Sequence, residues 1–103
     1  METYMADFDL VLAPALTELP LKLGELSQRN FMDLRKRVSR YATFMAVFNA
    51  SGQPAASLPL YATAQGVPVA TQLIGRFGRE DLILQVSAQL EGADPWRLRK
   101  PVF

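Results

Sequence analysis

The sequence predicts a fold of the α/β class, with a mixed sheet of about three strands and two to three helices. Several short segments are apolar without alternation, a pattern typical of strands that are covered on both faces. Two longer segments repeat apolar residues at every third or fourth position, which indicates amphipathic helices. Glycine and proline lie between these segments and predict the turns that join them.

The first strand is predicted over Phe8–Ala13 (FDLVLA), because this stretch ends in an unbroken apolar run. The residues before it, Glu2–Asp7, are expected to form the end of a short helix. A loop is expected over residues 14–29, where prolines at positions 14 and 20 and a glycine at position 24 interrupt any regular pattern. The chain thus reaches its first long helix only after an irregular connection.

A helix is predicted to begin after Asn30, whose side chain is a suitable N-cap, and Asp33 favours its first turn. One apolar stripe runs along it: Phe31, Leu34, Val38, Tyr41, Met45 and Phe48. Beyond Tyr41 the sequence is apolar on nearly every side, so this half of the helix is expected to be buried. A break near Thr43, which would cap a second short helix, is the alternative to one continuous helix.

A turn is predicted over Asn49–Pro54, because Gly52 permits a positive φ and Pro54 does not continue a helix. The next segment, Ala55–Tyr61, is predicted to be a strand. Pro59 removes one backbone donor from that strand, which places it at a sheet edge or at a bulge.

A second turn, over Thr63–Gly66, leads into another strand, Val67–Ile74, and the two strands are expected to form an antiparallel hairpin. Both faces of the second strand are mostly apolar, so each face needs cover. Three strands of this kind need more cover than two helices supply. The chain is therefore expected to belong to a larger sheet, completed by further sequence or by another chain.

The last helix is predicted over Glu80–Glu91, with acidic residues in its first turn and Gly92 at its end. Its apolar stripe consists of Leu82, Ile83, Val86 and Leu90. A tail follows over Asp94–Phe103, and Trp96 is expected to anchor it.

The 103 residues are half apolar and carry a net charge of +1, which predicts an ordered domain without a nucleic-acid or membrane partner. The basic run Arg35–Arg40 (RKRVSR) lacks interleaved aromatic residues and is interpreted as a solvated helix face. No signal-peptide pattern is present, and the longest mostly apolar run, Tyr41–Phe48, is too short to cross a bilayer. The absence of cysteine suits a reducing compartment, so a cytoplasmic protein is expected.

The chain has neither histidine nor cysteine, so it holds no Ser-His-Asp triad, no Cys-His pair and no histidine-ligated zinc site. Covalent catalysis would need a serine or threonine activated by lysine, or a carboxylate or lysine that acts directly. Ser51 and Ser57 lie nearest the turns, but no lysine is close to them in sequence, so both are interpreted as hydroxyls bonded to backbone. No cofactor and no metal are expected.

Four segments together resemble the amidase-signature family. Phe44–Leu60 (FMAVFNASGQPAASLPL) is similar to the family's Asn-x-Thr/Ser-Gly-x-Pro-Ala-x-Ser-x-Pro pattern, and Gln65–Glu91 is similar to a Gly-Leu-Pro-Val-Gly-Val-Gln-Leu-Val-Gly-Arg strand with its following helix. Upstream, FDLVLAPALTELPLKLGEL resembles the family's strand and proline-rich loop, and PWRLRKP resembles its ending. The segments occur in the family's order and cover nearly the whole chain.

The resemblance implies an enzyme that cleaves amides with a serine nucleophile, a second serine in a cis peptide and a lysine base. None of these elements matches a residue of this chain, so no catalytic, cofactor-binding or metal residue is carried over. The positions that match the family pattern are expected to be structural: Asn49, Gly52, Pro54, Ser57, Pro59, Gly66, Gln72 and Gly75. The chain departs from the pattern at Ala15, Ala70 and Thr71, and these are small changes for a sheet.

Residues 1–103 are therefore expected to form a single partial domain, the C-terminal segment of an amidase domain. The motifs are closest to those of bacterial amidases, including 6-aminohexanoate-cyclic-dimer hydrolase-like members. Met1 stands just before a strand that the family places within its sheet, so a truncated gene, a split chain or a fragment is expected.

Alone, the chain is expected to be inactive, and to associate with itself or with a complementary N-terminal amidase segment. A small amide is expected as a substrate only of the full enzyme. The alternative is a non-enzymatic remnant that acts as an oligomerisation or interaction module.

Overall fold

The computed structural model describes residues 3–27 and 30–100. Within them the chain forms three strands, three α-helices and a 3-10 turn. The elements are β1 (Leu10–Pro14), α1 (Phe31–Tyr41), α2 (Thr43–Ser51), β2 (Ala55–Ala62), β3 (Pro68–Gly75), α3 (Glu80–Ala93) and the 3-10 turn Trp96–Leu98. The predicted α/β class, with its numbers of strands and helices, is confirmed.

The segment before β1 differs from the prediction. Residues 3–7 form turns instead of the end of a helix, and Glu2 lies outside the described residues. β1 begins at Leu10 rather than at Phe8. Just before the strand, Arg76 Nε and Nη2 donate to the carbonyls of Phe8 and Ala6, both at 3.0 Å. The last residues of the predicted loop and of the tail, 28–29 and 101–103, also lie outside the described part.

The strands form one sheet in the order β1–β3–β2, and both pairings are antiparallel. The predicted hairpin of β2 and β3 is confirmed, and no parallel pairing occurs among the described strands. β3 is the central strand, which explains why its sequence is apolar toward both faces.

β2 is an edge strand, and its register with β3 shifts between Leu58 and Tyr61. Pro59 lies within this irregular stretch, so it occupies an edge strand and a bulge-like position at once, as predicted. Its carbonyl accepts a hydrogen bond from Arg99 Nη1 at 3.0 Å.

α3 packs against one face of the hairpin, where Leu58, Leu73 and Ile83 form the buried core cluster. Val86 and Leu90 of the predicted stripe pack against this cluster. Trp96 also packs against it, and this confirms the tryptophan as the anchor of the tail. Ile74 alternates to the opposite face of β3 and is fully buried there.

The N-cap of α1 is confirmed, because Asp33 N–H donates to Asn30 Oδ1 at 3.0 Å. The apolar stripe is not one continuous helix, since α1 ends at Tyr41 and α2 begins at Thr43. Thr43 does not cap α2. Its hydroxyl instead donates backwards to the carbonyls of Ser39 and Arg40, both at 2.9 Å, and so satisfies the end of α1.

Two helices extend further than predicted. α2 continues to Ser51, so the turn predicted from Asn49 onward begins only at Gly52, which is left-handed at φ 75° and donates to Phe48 O at 3.0 Å. α3 passes through Gly92 to Ala93, because a glycine lowers helix stability without breaking the hydrogen-bond ladder.

The expected burial of the second half of the stripe is wrong for the described residues. No side chain of α1 or α2 is buried. Phe31 is 74% exposed, and on α2 Phe44 and Val47 are 40% and 53% exposed. The described part of the chain supplies no layer that covers these two helices on their outer side. Phe31, Phe44 and Val47 therefore form an exposed apolar surface, whereas Met45 and Phe48 of the predicted stripe are half-buried.

Candidate functional site

The positions that match the family pattern gather at the β2–β3 hairpin and at the turn that leads into it. Gly52 ends α2 in the left-handed conformation, and Pro54 O accepts a hydrogen bond from Gly75 N–H at 3.0 Å. The turn after α2 is thereby fixed against the far end of β3. Asn49 lies within the last turns of α2 and is exposed, so it belongs to the helix rather than to the turn.

Gly75 lies beside the first turns of α3. A Cβ atom at this position would stand 3.0 Å from Ile83 Cδ1 and 3.3 Å from the carbonyl oxygen of Arg79. A side chain here would therefore force Ile83 or the Arg79 carbonyl to shift, whereas the backbone conformation itself is not left-handed. At the other end of the hairpin, Gly66 has φ 79° and closes the turn by donating to Thr63 O at 2.9 Å.

Gln72 is the only buried polar residue among those described, with 6% of its surface exposed. Its Nε2 donates to Pro14 O at 3.1 Å, which ties the central strand to the end of β1. Ser57 lies opposite Gln72 in the register of the hairpin, at the exposed β2 edge. These two motif positions are thus neighbours across the strands.

The hydroxyl of Ser51, at the end of α2, is bonded within its own helix. Ser51 Oγ donates to Val47 O at 2.7 Å, in agreement with its interpretation as a backbone-bonded hydroxyl, and it also contacts the side chain of Gln53. Among the described residues no serine hydroxyl is hydrogen-bonded to a lysine, and no group of three or more acidic side chains has metal-binding geometry.

A charged cluster holds the 15–27 loop on α1. Arg37 forms a two-pronged salt bridge with Glu18 and a third contact, at 3.2 Å, with Glu25. Beside it, Thr17 N–H donates to Tyr41 O at 3.2 Å and Thr17 Oγ1 to Arg40 O at 3.1 Å. The basic run is therefore not only a solvated face, because one of its arginines pairs with the preceding loop.

The electrostatics of this cluster follow from the salt bridge. The hydrogen bond from Arg37 lowers the pKa of Glu18 below its ordinary value, and the bonds to Glu18 and Glu25 raise the pKa of Arg37. Sequence reasoning missed this pairing, although the opposite charges of the loop and the helix were a usable signal. It also missed Arg76, whose partners are backbone carbonyls that carry no sequence signature.

Within the described ranges, no helix combines the length and the hydropathy that a membrane span requires.

Comparison with known proteins gives a consistent result. The family described as Amidase matches residues 1–84 of this chain. A 6-aminohexanoate-cyclic-dimer hydrolase from Paenarthrobacter ureafaciens is 43% identical over 93% of this chain and 21% of its own length. A protein called putative amidase AmiC, from Mycobacterium tuberculosis strain H37Rv, is 35% identical over 95% of this chain and 21% of its own.

Solved structures agree in fold. The structure of a 6-aminohexanoate cyclic dimer hydrolase matches with a TM-score of 0.82 and 38% identity, covering 97% of this chain and 22% of the other. Its complex with substrate matches with a TM-score of 0.84 over the same shares. The chain thus spans about a fifth of the length of these relatives. By the match over most of its residues, the chain belongs to the amidase family.

Proposed function

We propose that this chain is the C-terminal, non-catalytic segment of an amidase-family hydrolase that cleaves amide C–N bonds. The serine nucleophile, the second serine and the lysine base belong to the remaining part of the domain, on the same polypeptide or on a separate one. The chain contributes the β2–β3 hairpin and the turn over Gly52–Pro54, which form part of the scaffold behind the active site. It is inactive alone.

The observation that carries this proposal is the asymmetry of coverage. Nearly all of the chain aligns with a relative, 93% in the first comparison, but only 21% of the relative aligns with the chain. Since the serines and the lysine that the family resemblance implies match no residue of this chain, the catalytic groups are expected in the other four-fifths of the relative.

The surface of the structure supports the same proposal. Phe31, Phe44 and Val47 are large apolar side chains that stay exposed on α1 and α2. An exposed apolar surface of this kind is typical of a surface that another polypeptide segment covers. In this proposal the remaining amidase segment covers it.

Complementation tests the proposal directly. We would purify this chain together with the Paenarthrobacter relative from which the matched fifth has been deleted, and measure hydrolysis of the 6-aminohexanoate cyclic dimer. Neither part alone is expected to cleave the dimer, and the mixture is expected to do so.

Two controls sharpen this experiment. The relative's own deleted segment, supplied as a separate polypeptide, should restore activity and sets the scale. A version of this chain with Gly75→Val, which forces a branched side chain against Ile83, should restore less. If the relative's own segment complements and this chain does not even bind, the proposal is wrong for this chain.

A second candidate function is a non-enzymatic oligomerisation module. The same exposed apolar surface favours it, because a second copy of the chain would also cover this surface. This function predicts a stable homo-oligomer that does not dissociate when the truncated relative is added. Cytoplasmic location remains a prediction from the sequence.

A further inference from the structure

A cavity of about 490 Å³ lies beside the turn that joins β2 to β3. Its apolar lining includes two prolines and two aromatic rings, namely Pro59, Pro68, Tyr61 and Trp96. Cavities of this size that combine an apolar lining with a few polar groups are typical of sites for small organic molecules. The cavity is therefore a candidate binding site, provided that its walls are fixed.

The strand wall of the cavity is shaped by a bulge in β2. Leu58 pairs with Thr71 and Tyr61 pairs with Val69, so two residues of β2 stand opposite Ala70 alone. A bulge changes the direction of the side chains around it, and bulges are common beside binding sites. Tyr61 follows the bulge directly and is 64% exposed. The backbone of the strand thus holds the tyrosine ring at the cavity.

The tail wall of the cavity is held at two points. Trp96 packs against the buried core cluster, and Arg99 Nη1 donates to Pro59 O at 3.0 Å. Between these points the 3-10 turn is closed by Arg99 N–H, which donates to Trp96 O at 2.9 Å. Because both walls are fixed in the free chain, few groups have to be ordered when a ligand binds.

The charge at the cavity is positive. Arg99 and Lys100 line it, and among the described residues no carboxylate does so. Asp94 forms a salt bridge with Arg99, whereas Lys100 is exposed and forms none within the described part of the chain. Aromatic rings alone would also suit a cationic ligand, but the ammonium group of Lys100 repels one. The free charge at the cavity therefore favours an anion.

We propose that this cavity binds an organic carboxylate with an apolar body. The body covers the rings of Tyr61 and Trp96, and the carboxylate pairs with the ammonium group of Lys100. An inorganic anion would leave both rings uncovered, so the apolar lining selects an organic acid. The site goes beyond the proposed function, because binding of this kind needs no catalytic group.

The fluorescence of Trp96 reports this binding, because the sequence contains one tryptophan. The probe is phenylbutyrate, a carboxylate with an aromatic body, added to the full chain at neutral pH. We expect a saturable change in fluorescence. Phenylbutyramide has the same body without the charge, so it should bind about three- to fivefold more weakly, as one exposed ion pair implies.

Two lysine variants test the charge. Lys100→Gln should lower the affinity for phenylbutyrate to that for phenylbutyramide, and it should leave the affinity for phenylbutyramide unchanged. Lys36→Gln removes the same charge from α1 and is the matched control, which should change neither affinity.

Two further variants test the place of the apolar body. Tyr61→Ala removes one wall and should weaken the binding of both probes about tenfold. Its circular dichroism should match that of the unsubstituted chain, because the tyrosine is 64% exposed. Val47→Gln changes the exposed apolar surface of α2 and should leave both affinities unchanged.

Each contrary outcome overturns the proposal in a different way. Equal affinities for the acid and the amide, or a preference for the acid that Lys100→Gln does not remove, exclude recognition of a carboxylate at Lys100. Weaker binding in Val47→Gln with no effect of Tyr61→Ala would place the probe on α2. No saturable change, either in fluorescence or in the NMR amide signals of residues 61–66 and 96–100, would show that the site does not bind the probe. All these measurements use the chain without hydrolysis, so their failure leaves the proposed function intact.

Discussion

At the scale of single residues, two glycines of this chain differ in how much space surrounds them. Packing requires a glycine at position 75 but not at position 92. Gly75 has no room for a Cβ atom, because Ile83 Cδ1 lies 3.0 Å and Arg79 O 3.3 Å from the position it would take. Gly92 lies inside α3 with no atom within 4 Å of its virtual Cβ. The same substitution should therefore have opposite effects at the two positions.

We expect Gly75→Ala to lower the free energy of unfolding by about 1–3 kcal/mol, because the new methyl group is forced against α3 and a backbone carbonyl cannot move away. Gly92→Ala should raise it by about 0.5–1 kcal/mol, because alanine costs less entropy than glycine within a helix. Urea unfolding of both variants at one protein concentration measures the difference. Equal effects of the two changes would contradict the packing argument.

At the scale of elements, the contact between the 15–27 loop and α1 depends on charge. Arg37 reaches both Glu18 and Glu25, and Thr17 adds hydrogen bonds to the last carbonyls of α1. Since the folded pKa of Glu18 is lowered, its stabilisation is present above the ordinary carboxyl pKa of 4.5 and is lost as the pH falls through the lowered value. The loop should therefore loosen in acid.

Titration of the Glu18 carboxyl by NMR tests this contact. Its midpoint is expected below 4.5 in the unsubstituted chain and closer to 4.5 in Arg37→Gln, which removes the hydrogen bond that lowers the pKa. Arg35→Gln, on the same helix, should leave the midpoint unchanged. A midpoint that Arg37→Gln does not move would show that the salt bridge is absent in solution.

The elements also show what the sequence could predict. The hairpin was predictable, because turn residues and apolar runs are local signals, and so was the N-cap at Asn30. The end of α2 was not predictable, because Gly52 and Pro54 indicate a turn in this stretch. The hydroxyl of Ser51 nevertheless donates to the helical carbonyl of Val47. The contacts of Arg76 with Phe8 and Ala6 were also not predictable, since they join backbone carbonyls that are distant in sequence.

At the scale of the whole molecule, the sequence predicts a sheet that needs more cover than two helices supply. The exposed apolar side chains of α1 and α2 agree with that prediction. Burial was expected from Tyr41 onward, where the composition is apolar on nearly every side, yet no side chain of α2 is buried among the described residues. The apolar composition of a segment indicates how much of its surface is covered in the complete domain. It does not tell whether the covering layer belongs to the same chain.

An apolar surface without its covering layer should make the isolated chain associate with itself. We expect the average mass measured by sedimentation to rise with protein concentration. Val47→Gln places a polar amide on the exposed face of α2 and should reduce this rise. Lys36→Gln on α1 is the control, because it leaves the exposed apolar side chains unchanged. Addition of the truncated relative should replace the self-associated species with a one-to-one complex, since the relative and a second copy of the chain compete for the same exposed apolar surface. A chain that stays monomeric at every concentration and unfolds in one sharp transition would mean that this surface needs no partner.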